Sequence, residues 1–366
     1  MANIHFLELA PQETGSLRHG PLEQHKLHFF DGTIAGLPHA ALREAEVLSV
    51  FIHSRVTEEW LRRMPRLRLV ATRSTGFDHV DLAACARRGV AVVNVPFYGE
   101  NTVAEHTFAL ILALSRKVHQ AYFRTIRGNF SFKGLEGFDL KGKTIGVVGT
   151  GRIGLHAIRI AKGFGMKVIA YDLNRNSLLA ETLGFEYCGF AGLLAQSDII
   201  TLHAPYNPAT HHMINRGNVR TIKRGALLIN TARGGLVETQ ALVEALDEGI
   251  LGGAGLDVLE GEDIIVEERQ LATQDFPPET LKTMLQNHIL LNREDVVITP
   301  HIGFNSKEAF LRILDTTVSN VSAFLAGKPE NVVSRPGGVS RGSAPRRSRL
   351  SKSRVPARRR RRGALA

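Results

Sequence analysis

Three side chains that follow late apolar segments have the types needed for proton transfer beside a bound anion. Arg233 follows the run LLINTA, Glu262 follows GLDVLEG, and His301 follows VVITP. A guanidinium holds a carboxylate through two hydrogen bonds, an imidazole exchanges protons near neutral pH, and a neighbouring carboxylate stabilises the protonated imidazole. This set suits the oxidation of a 2-hydroxy acid, or the reduction of a 2-oxo acid, by a bound hydride carrier.

A glycine-rich turn predicts the site for that carrier. The segment GTGRIG, residues 149–154, follows the apolar run TIGVV and opens a helical pattern, and Asp172 ends the next apolar run, KVIAYD. Such a turn lets the backbone approach a pyrophosphate at a helix N-terminus, while the acidic side chain binds the ribose. Asp172 favours NAD, and Arg175 nearby leaves NADP open. The candidate cofactor residues here are Gly149, Gly151, Arg152, Ile153, Gly154 and Asp172.

These residues require a framework of buried parallel strands. Short β-rich runs alternate with helical stretches along the chain, in two series of five and six runs. Their continuous apolar character predicts parallel α/β units. We expect one long helix from Glu100 to Phe123 between the two series. A last helix after Ser306, ending near Gly327, should return to pack on the first unit.

Composition separates this body from a basic tail. The chain has 366 residues, enough for about two domains, and a formal net charge of +11. From Arg335 onward there are 12 basic residues and no acidic ones, so the rest carries 34 basic and 35 acidic residues. The tail should be disordered. Nucleic acid is not expected as a partner of the body, and the run Arg358–Arg362 leaves open an affinity of the tail for nucleic acid or anionic membranes. The tail could also be a translation artefact or a species-specific extension.

Other sequence features argue against a membrane, a leader peptide and a metal. The apolar run Phe108–Leu114 is far shorter than the ~20 residues of a membrane span. The first residues lack the pattern of a secretory signal, and two cysteines favour a reduced, cytoplasmic chain. The pair His211 and His212 lacks companion ligands, so no metal is expected.

Several motifs together resemble the D-isomer-specific 2-hydroxyacid dehydrogenase family, across roughly residues 40 to 330. They are TRSTGFDHVD, NVPFYGENTVAEHTFALIL, HAPYNPATHHMIN, NTARGGLVE and TPHIGFNSKEA. The resemblance implies an α/β fold of two doubly wound parallel-sheet domains, with a Rossmann NAD-binding domain inserted into a flavodoxin-like substrate domain. The substrate domain would comprise residues 1–100 and 301–333, the NAD domain 101–300, and the tail 334–366. It also implies a homodimer, joined through the Glu100–Phe123 helix and the arm IRGNFSFKG.

The resemblance assigns roles to individual residues. Arg233 would bind the substrate carboxylate, His301 would exchange a proton with the substrate oxygen, and Glu262 would hydrogen-bond the imidazole. Further substrate-binding residues would be Phe51, Thr75, Gly76 and Tyr98. Further cofactor-binding residues would be Thr102, His203, Ala204, Pro205, Thr231, Ala232 and Asp257, the last at the nicotinamide end.

Within the family, Phe304 and the segment GEDII are most similar to D-lactate dehydrogenases, which act on pyruvate-like oxo acids. Hydroxypyruvate, glyoxylate or phosphoglycerate-type reductases remain alternatives, and the long segment between Glu262 and His301 departs from the shorter loops of many relatives. An acidic partner for the histidine disfavours formate dehydrogenase. A non-enzymatic alternative is an NAD-sensing scaffold like the corepressors that share this fold.

Overall fold

Parallel strands alternate with helices through the first hundred residues of the chain. The structure, a computed structural model, describes residues 1–9, 11–262 and 277–334. The first elements are β1 (Asn3–Phe6), α1 (Pro11–Arg18), β2 (Lys26–Phe29), α2 (His39–Leu42), β3 (Val47–Val50), α3 (Glu58–Arg63), β4 (Leu69–Thr72), α4 (Leu82–Arg87) and β5 (Ala91–Val93).

A second α/β series follows two consecutive helices. Its elements are α5 (Glu100–Ser115), α6 (Val118–Thr125), β6 (Thr144–Val148), α7 (Arg152–Gly163), β7 (Lys167–Tyr171), α8 (Ser177–Leu183), β8 (Glu186–Tyr187), α9 (Phe190–Gln196), β9 (Ile199–Leu202), β10 (Ala226–Asn230), α10 (Thr239–Asp247) and β11 (Leu251–Leu256). The last described elements are α11 (Pro278–Leu291), β12 (Val296–Ile298), α12 (Lys307–Leu325) and β13 (Val332–Ser334). Short 3₁₀ turns occupy Ile34–Gly36, Val219–Thr221 and Gly234–Leu236.

The strands form two doubly wound sheets, which confirms the predicted fold class. The first sheet has the order β13-β5-β4-β3-β1-β2, with β13 antiparallel to β5 and every other pair parallel. Apart from β13, this is the flavodoxin order. The second sheet, β12-β11-β10-β9-β6-β7-β8, is parallel throughout and contains the Rossmann order.

The C-terminal part of the described chain belongs to the first sheet. On α12, Leu314 and Val321 are buried in one apolar cluster with Ile4 and Phe6 of β1. The Ser306 side chain accepts a hydrogen bond from the Ala309 N–H, so it caps the start of this helix. We therefore propose that residues 1–100 and 301–333 form one domain and residues 101–300 the other.

Two features differ from the sequence expectation. The single helix expected from Glu100 to Phe123 is wrong, because α5 ends at Ser115 and Lys117 adopts the left-handed conformation with φ 51° before α6 begins. The Ser115 carbonyl instead accepts a hydrogen bond from the Phe138 N–H at 2.9 Å. The sequence reading also omitted the short strands β8 and β13, which have two and three residues and therefore little apolar pattern.

Among the residues that the structure describes, no helix is long and apolar enough to span a bilayer. No group of three or more histidine, cysteine, aspartate or glutamate side chains there could hold a metal ion. Cys85 and Cys188 are both free thiols. The segment 263–276 and the tail from residue 335 lie outside the described residues, so the expected disorder of the tail stays a prediction.

Candidate active site

The carboxyl ends of β10, β11 and β12 bring the three predicted catalytic side chains to one edge of the second sheet. Arg233 follows β10, where the buried Asn230 side chain fixes the turn. Its amide nitrogen donates to the Arg233 carbonyl at 2.9 Å, and its amide oxygen accepts from the Ala232 N–H at 3.1 Å. Glu262 follows β11, and His301 follows β12. Parallel strands end together, so residues far apart in sequence become neighbours.

His301 and Glu262 form a hydrogen-bonded pair. Nδ1 of His301 lies 2.9 Å from Oε1 of Glu262, and both side chains are about one-third exposed. The second carboxylate oxygen accepts a hydrogen bond from the Leu259 N–H at 3.3 Å. Within the described ranges, Nε2 of His301 has no hydrogen-bond partner. Because the carboxylate orients Nδ1, Nε2 is the nitrogen that can exchange a proton with a substrate.

Asp257 holds the backbone turn that carries this histidine. Its carboxylate accepts hydrogen bonds from the Ile302 N–H at 2.9 Å and the Gly303 N–H at 2.8 Å, and its carbonyl accepts from the His301 N–H. His301 itself has φ 53°, a strained conformation for a side-chain-bearing residue. These bonds stabilise the strained turn. The predicted contact of Asp257 with the nicotinamide stays a prediction.

The Asp257 carboxylate is only 2% exposed, yet the structure favours its ionised form. Burial acts to raise its pKa, but hydrogen bonds from His106, Thr299 and the Gly303 N–H outweigh burial and hold the pKa below its usual range. Nε2 of His106, a residue of α5, lies 3.3 Å from Asp257 Oδ1 and 3.0 Å from Thr299 Oγ1. The sequence analysis did not single out His106, which belongs to the motif NTVAEHTFALIL.

A candidate anion site lies between Arg233 and the turn after β4. The guanidinium packs so closely on Gly76 that a Cβ added there would collide with Nη2. The Arg233 Nη1 donates to the Ala232 carbonyl at 2.7 Å, and its Nε lies 3.4 Å from Asp78, a contact that sequence reasoning missed. In the described part of the chain, the backbone N–H of Gly76 donates to no protein acceptor. An unpaired N–H group beside a guanidinium suits a carboxylate.

Three aromatic side chains stand beside this anion site. The Phe304 ring meets the Phe51 ring edge-on at a centroid distance of 5.3 Å and the Tyr98 ring at 6.3 Å. Burial raises the pKa of Tyr98 above its ordinary value, while the charge of Arg233 and hydrogen bonds with Thr75 act in the opposite direction. The Tyr98 hydroxyl therefore stays protonated, and it is hydrogen-bonded with Thr75. We call Phe51, Tyr98 and Phe304 the aromatic wall.

The glycine-rich turn joins β6 to α7 as the sequence predicts. Gly149 has φ 94°, and a Cβ there would come within 2.7 Å of the His203 carbonyl oxygen, so only glycine fits. No side chain caps the first turn of α7, which leaves its N–H groups for an anion. Asp172 accepts hydrogen bonds from the Thr150 N–H at 2.7 Å and from its hydroxyl at 3.0 Å. These features fit a dinucleotide: a turn too tight for any side chain, unpaired N–H groups and an acidic residue.

The remaining predicted cofactor residues lie at or near the carboxyl edge of the second sheet. Some of their side chains already form hydrogen bonds within the protein. The Thr231 hydroxyl pairs with that of Thr107 at 3.0 Å, and Arg312 donates weakly to Thr102 at 3.4 Å. Burial lowers the pKa of His203 to about 4, so this imidazole is neutral at physiological pH. Ala204 and Pro205 follow it in the loop after β9, Ala232 precedes Arg233, and Gly151, Ile153 and Gly154 lie at the start of α7.

Arg152 contacts the segment that precedes α5. Its guanidinium carbon lies 3.4 Å from the centroid of the Phe97 ring, and its Nη1 is 3.5 Å from Oε1 of Glu100. The glycine-rich turn is thus linked to the chain between the two sheets by a cation–π contact and an ion pair. Such a largely exposed ion pair is worth little by itself. It does, however, place a cation beside the candidate pyrophosphate site.

Comparisons with known proteins agree with this geometry. Residues 108–303 match the family model described as "D-isomer specific 2-hydroxyacid dehydrogenase, NAD binding domain". The D-lactate dehydrogenase of Escherichia coli is 35% identical over 83% of this chain and 90% of its own. The glyoxylate reductase of Thermococcus litoralis is 36% identical over 80% and 85%, respectively. A solved structure, D-lactate dehydrogenase from Aquifex aeolicus complexed with NAD and lactic acid, has a TM-score of 0.82 and 37% identity, covering 92% of this chain and 100% of that one.

Proposed function

Because the chain belongs to the D-isomer-specific 2-hydroxyacid dehydrogenases, an NAD-dependent family that acts on CH–OH groups, we propose that its substrate pair is D-lactate and pyruvate. The observation that supports this choice is the aromatic wall beside Arg233 and His301. An apolar wall next to a carboxylate site suits a short oxo acid whose third carbon is a methyl group. A hydroxymethyl group there would lose hydrogen bonds to water.

The residues divide the chemistry among them. Arg233 and the turn of Thr75 and Gly76 bind the substrate carboxylate, and Tyr98, which is hydrogen-bonded to Thr75, borders this site. During reduction, His301 donates the Nε2 proton to the carbonyl oxygen, and Glu262 orients the imidazole through its hydrogen bond with Nδ1. During oxidation, His301 accepts the hydroxyl proton. NADH, when bound, supplies the hydride for the carbonyl carbon; the α7 N-terminus and Asp172 are the residues that would hold its pyrophosphate and ribose.

A screen of 2-oxo acids tests the proposal. NADH oxidation is followed with pyruvate, 2-oxobutyrate, phenylpyruvate, glyoxylate and hydroxypyruvate, and each is repeated with NADPH. We expect kcat/KM for pyruvate to exceed that for glyoxylate by about 10-fold or more, the usual effect of one well-packed methyl group. NADH should be preferred over NADPH, because Asp172 repels a 2′-phosphate.

Other outcomes of the same screen choose among the alternatives. A preference for glyoxylate would assign the activity named for the Thermococcus litoralis relative, and a preference for hydroxypyruvate would assign the hydroxypyruvate-reductase alternative. Tight NADH binding without turnover of any short oxo acid would contradict a 2-oxo acid reductase and favour the NAD-sensing scaffold. The cytoplasmic location and any nucleic-acid affinity of the tail stay predictions.

We also propose a homodimer, supported by an exposed aromatic arm. α6 buries none of its residues, and exposed large apolar side chains continue beyond it, with Phe132 88% exposed. Together, α6 and the arm IRGNFSFKG, residues 126–134, expose Val118, Tyr122, Phe123, Ile126, Phe130 and Phe132. Such contiguous apolar surface is typical of a protein–protein interface.

Light scattering tests this interface. The full chain should have twice the monomer mass of 40.2 kDa, and a variant with Phe130→Ser and Phe132→Ser should shift toward the monomer. The control is Leu285→Ser on α11, another exposed apolar residue outside the arm, which should leave the mass unchanged. A dimer that persists at low micromolar concentration in the arm variant would contradict this assignment.

A further inference from the structure

A buried cation lies behind the aromatic wall. Arg73, directly after β4, is 2% exposed. Its Nη2 donates to the carbonyls of Leu7 and Glu8 at 2.7 and 2.8 Å, and its Nη1 donates to the Ser49 hydroxyl at 3.2 Å. Desolvating a guanidinium is costly unless its donors are satisfied, and here the ends of β1 and β3 supply the acceptors. Arg73 thus ties the carboxyl ends of β1, β3 and β4 together.

Glu8, at the end of β1, continues this connection toward the pocket. One oxygen of its carboxylate accepts a hydrogen bond from the Phe51 N–H and the other from the His53 N–H, each at 2.9 Å. Glu8 has φ 54°, an unfavourable conformation for a residue with a side chain. Strain of this kind persists only where surrounding contacts maintain it, and the two bonds from Arg73 to carbonyls 7 and 8 do so.

Phe51 is therefore fixed from two directions. Its backbone is held by Glu8, and its ring lies 5.8 Å from the guanidinium carbon of Arg73, on which it can stack as a cation–π partner. The same ring meets Phe304, which follows His301 by three residues. Among the described residues, no hydrogen bond of the Glu8 or Arg73 side chain reaches Arg233, Glu262 or His301. The connection leads to the wall and not to the proton-transfer pair.

We infer that Glu8 and Arg73 are positioning residues that set the substrate selectivity of the pocket by holding Phe51 at a fixed distance from Phe304. This inference rests on the proposed function, since it concerns the same pocket. The carboxylate is essential to it, because only a group with two acceptor oxygens can satisfy both N–H groups. An amide in its place accepts one bond and presents donors to the other N–H.

The variant Glu8→Gln tests this role with little change in shape. We expect roughly a 10-fold rise in the KM for pyruvate and a comparable fall in the selectivity for pyruvate over phenylpyruvate, as for one lost charged hydrogen bond. kcat and the NADH Kd should change less than twofold. Hydrogen exchange at the Phe51 and His53 amides should accelerate, a readout that does not depend on turnover.

A double-mutant cycle separates positioning from general destabilisation. If Glu8 acts through the ring of Phe51, Glu8→Gln should leave selectivity unchanged in a Phe51→Ala background. The matched control is Glu46→Gln. Glu46 also accepts a backbone bond, from the Asn3 N–H at 3.2 Å, but at the opposite end of β1. The Glu46→Gln variant should have a lower Tm but the same selectivity for pyruvate over phenylpyruvate.

Several results would overturn the inference. They are an unchanged selectivity in folded Glu8→Gln, additive effects in the cycle, or the same selectivity change in Glu46→Gln. If Glu8→Gln does not fold, Arg73→Lys serves in its place: it keeps the charge but cannot make the same three bonds, and it should show the same loss of selectivity. Absence of turnover in the unaltered chain would refute the proposed function, whereas normal turnover with unchanged ratios in the variant would refute only the positioning role.

Discussion

His301→Ala is expected to reduce kcat for NADH-dependent pyruvate reduction by about 10²–10⁴-fold, the usual contribution of a general acid. The imidazole is the side chain that can deliver a proton here, because Glu262 occupies Nδ1 and leaves Nε2 toward the substrate. NADH binding should be nearly unchanged, because the glycine-rich turn lies between β6 and α7 and Asp172 follows β7, whereas His301 follows β12. Steady-state rates and the quenching of protein fluorescence by NADH measure the two effects.

A companion variant separates chemistry from backbone strain. His301 has φ 53°, which asparagine tolerates better than alanine does. His301→Asn therefore preserves the turn on Asp257 but cannot exchange a proton, and it should lose as much rate as alanine. A rate within 10-fold of the unaltered chain in either folded variant would contradict the assignment of His301 as proton donor.

The second large effect is expected from Gly76→Ala, a substitution that adds a single methyl group. The added Cβ would collide with Nη2 of Arg233, the mobile end of a long side chain, so the guanidinium moves and the fold adapts. A displacement of about 1 Å in a substrate-binding group can cost 10²-fold in rate. We expect kcat/KM for pyruvate to fall by about that factor while Tm changes little.

Gly36→Ala provides the matched control. It makes the same chemical change in the same domain, at a glycine around which a Cβ would meet no atom within 4 Å. Activity and Tm should both stay close to those of the unaltered chain. If Gly76→Ala retains full activity, or if Gly36→Ala loses as much, then contact between Gly76 and Arg233 does not position the carboxylate site.

The fold follows from the sequence wherever apolar runs are continuous. β3, β4, β9 and β10 bury every residue, so their Val, Ile and Leu content identifies them. The end of α5 has no such signal. Neither glycine nor proline interrupts Ser115–Lys117, and the break depends on a hydrogen bond from Phe138, more than twenty residues away. Tertiary contacts of this kind override local helix propensity.

In the candidate site, too, some residues can be predicted from sequence motifs, whereas others depend on tertiary contacts. Motifs identify Arg233, Glu262 and His301, and the structure brings them to one edge of the second sheet. Asp78 and His106 lie inside motifs that were quoted, yet their contacts depend on how the strand ends meet. Arg73 also lies inside a quoted motif, but it contacts Glu8 across about 65 residues of chain, and Glu8 lies in no motif that indicates a role.

The addition of β13 and α12 to the first sheet has a consequence for synthesis on the ribosome. β5 ends at Val93, whereas α12 begins at Lys307. Roughly 200 further residues must therefore be synthesised before the elements that complete the first sheet exist. At ~5–20 residues per second this wait is roughly 10–40 s. The whole second sheet emerges during that interval and can fold first. Until then the nascent chain exposes the apolar surface of β1 and β4 that α12 later covers. We expect chaperones to bind this surface and prevent aggregation.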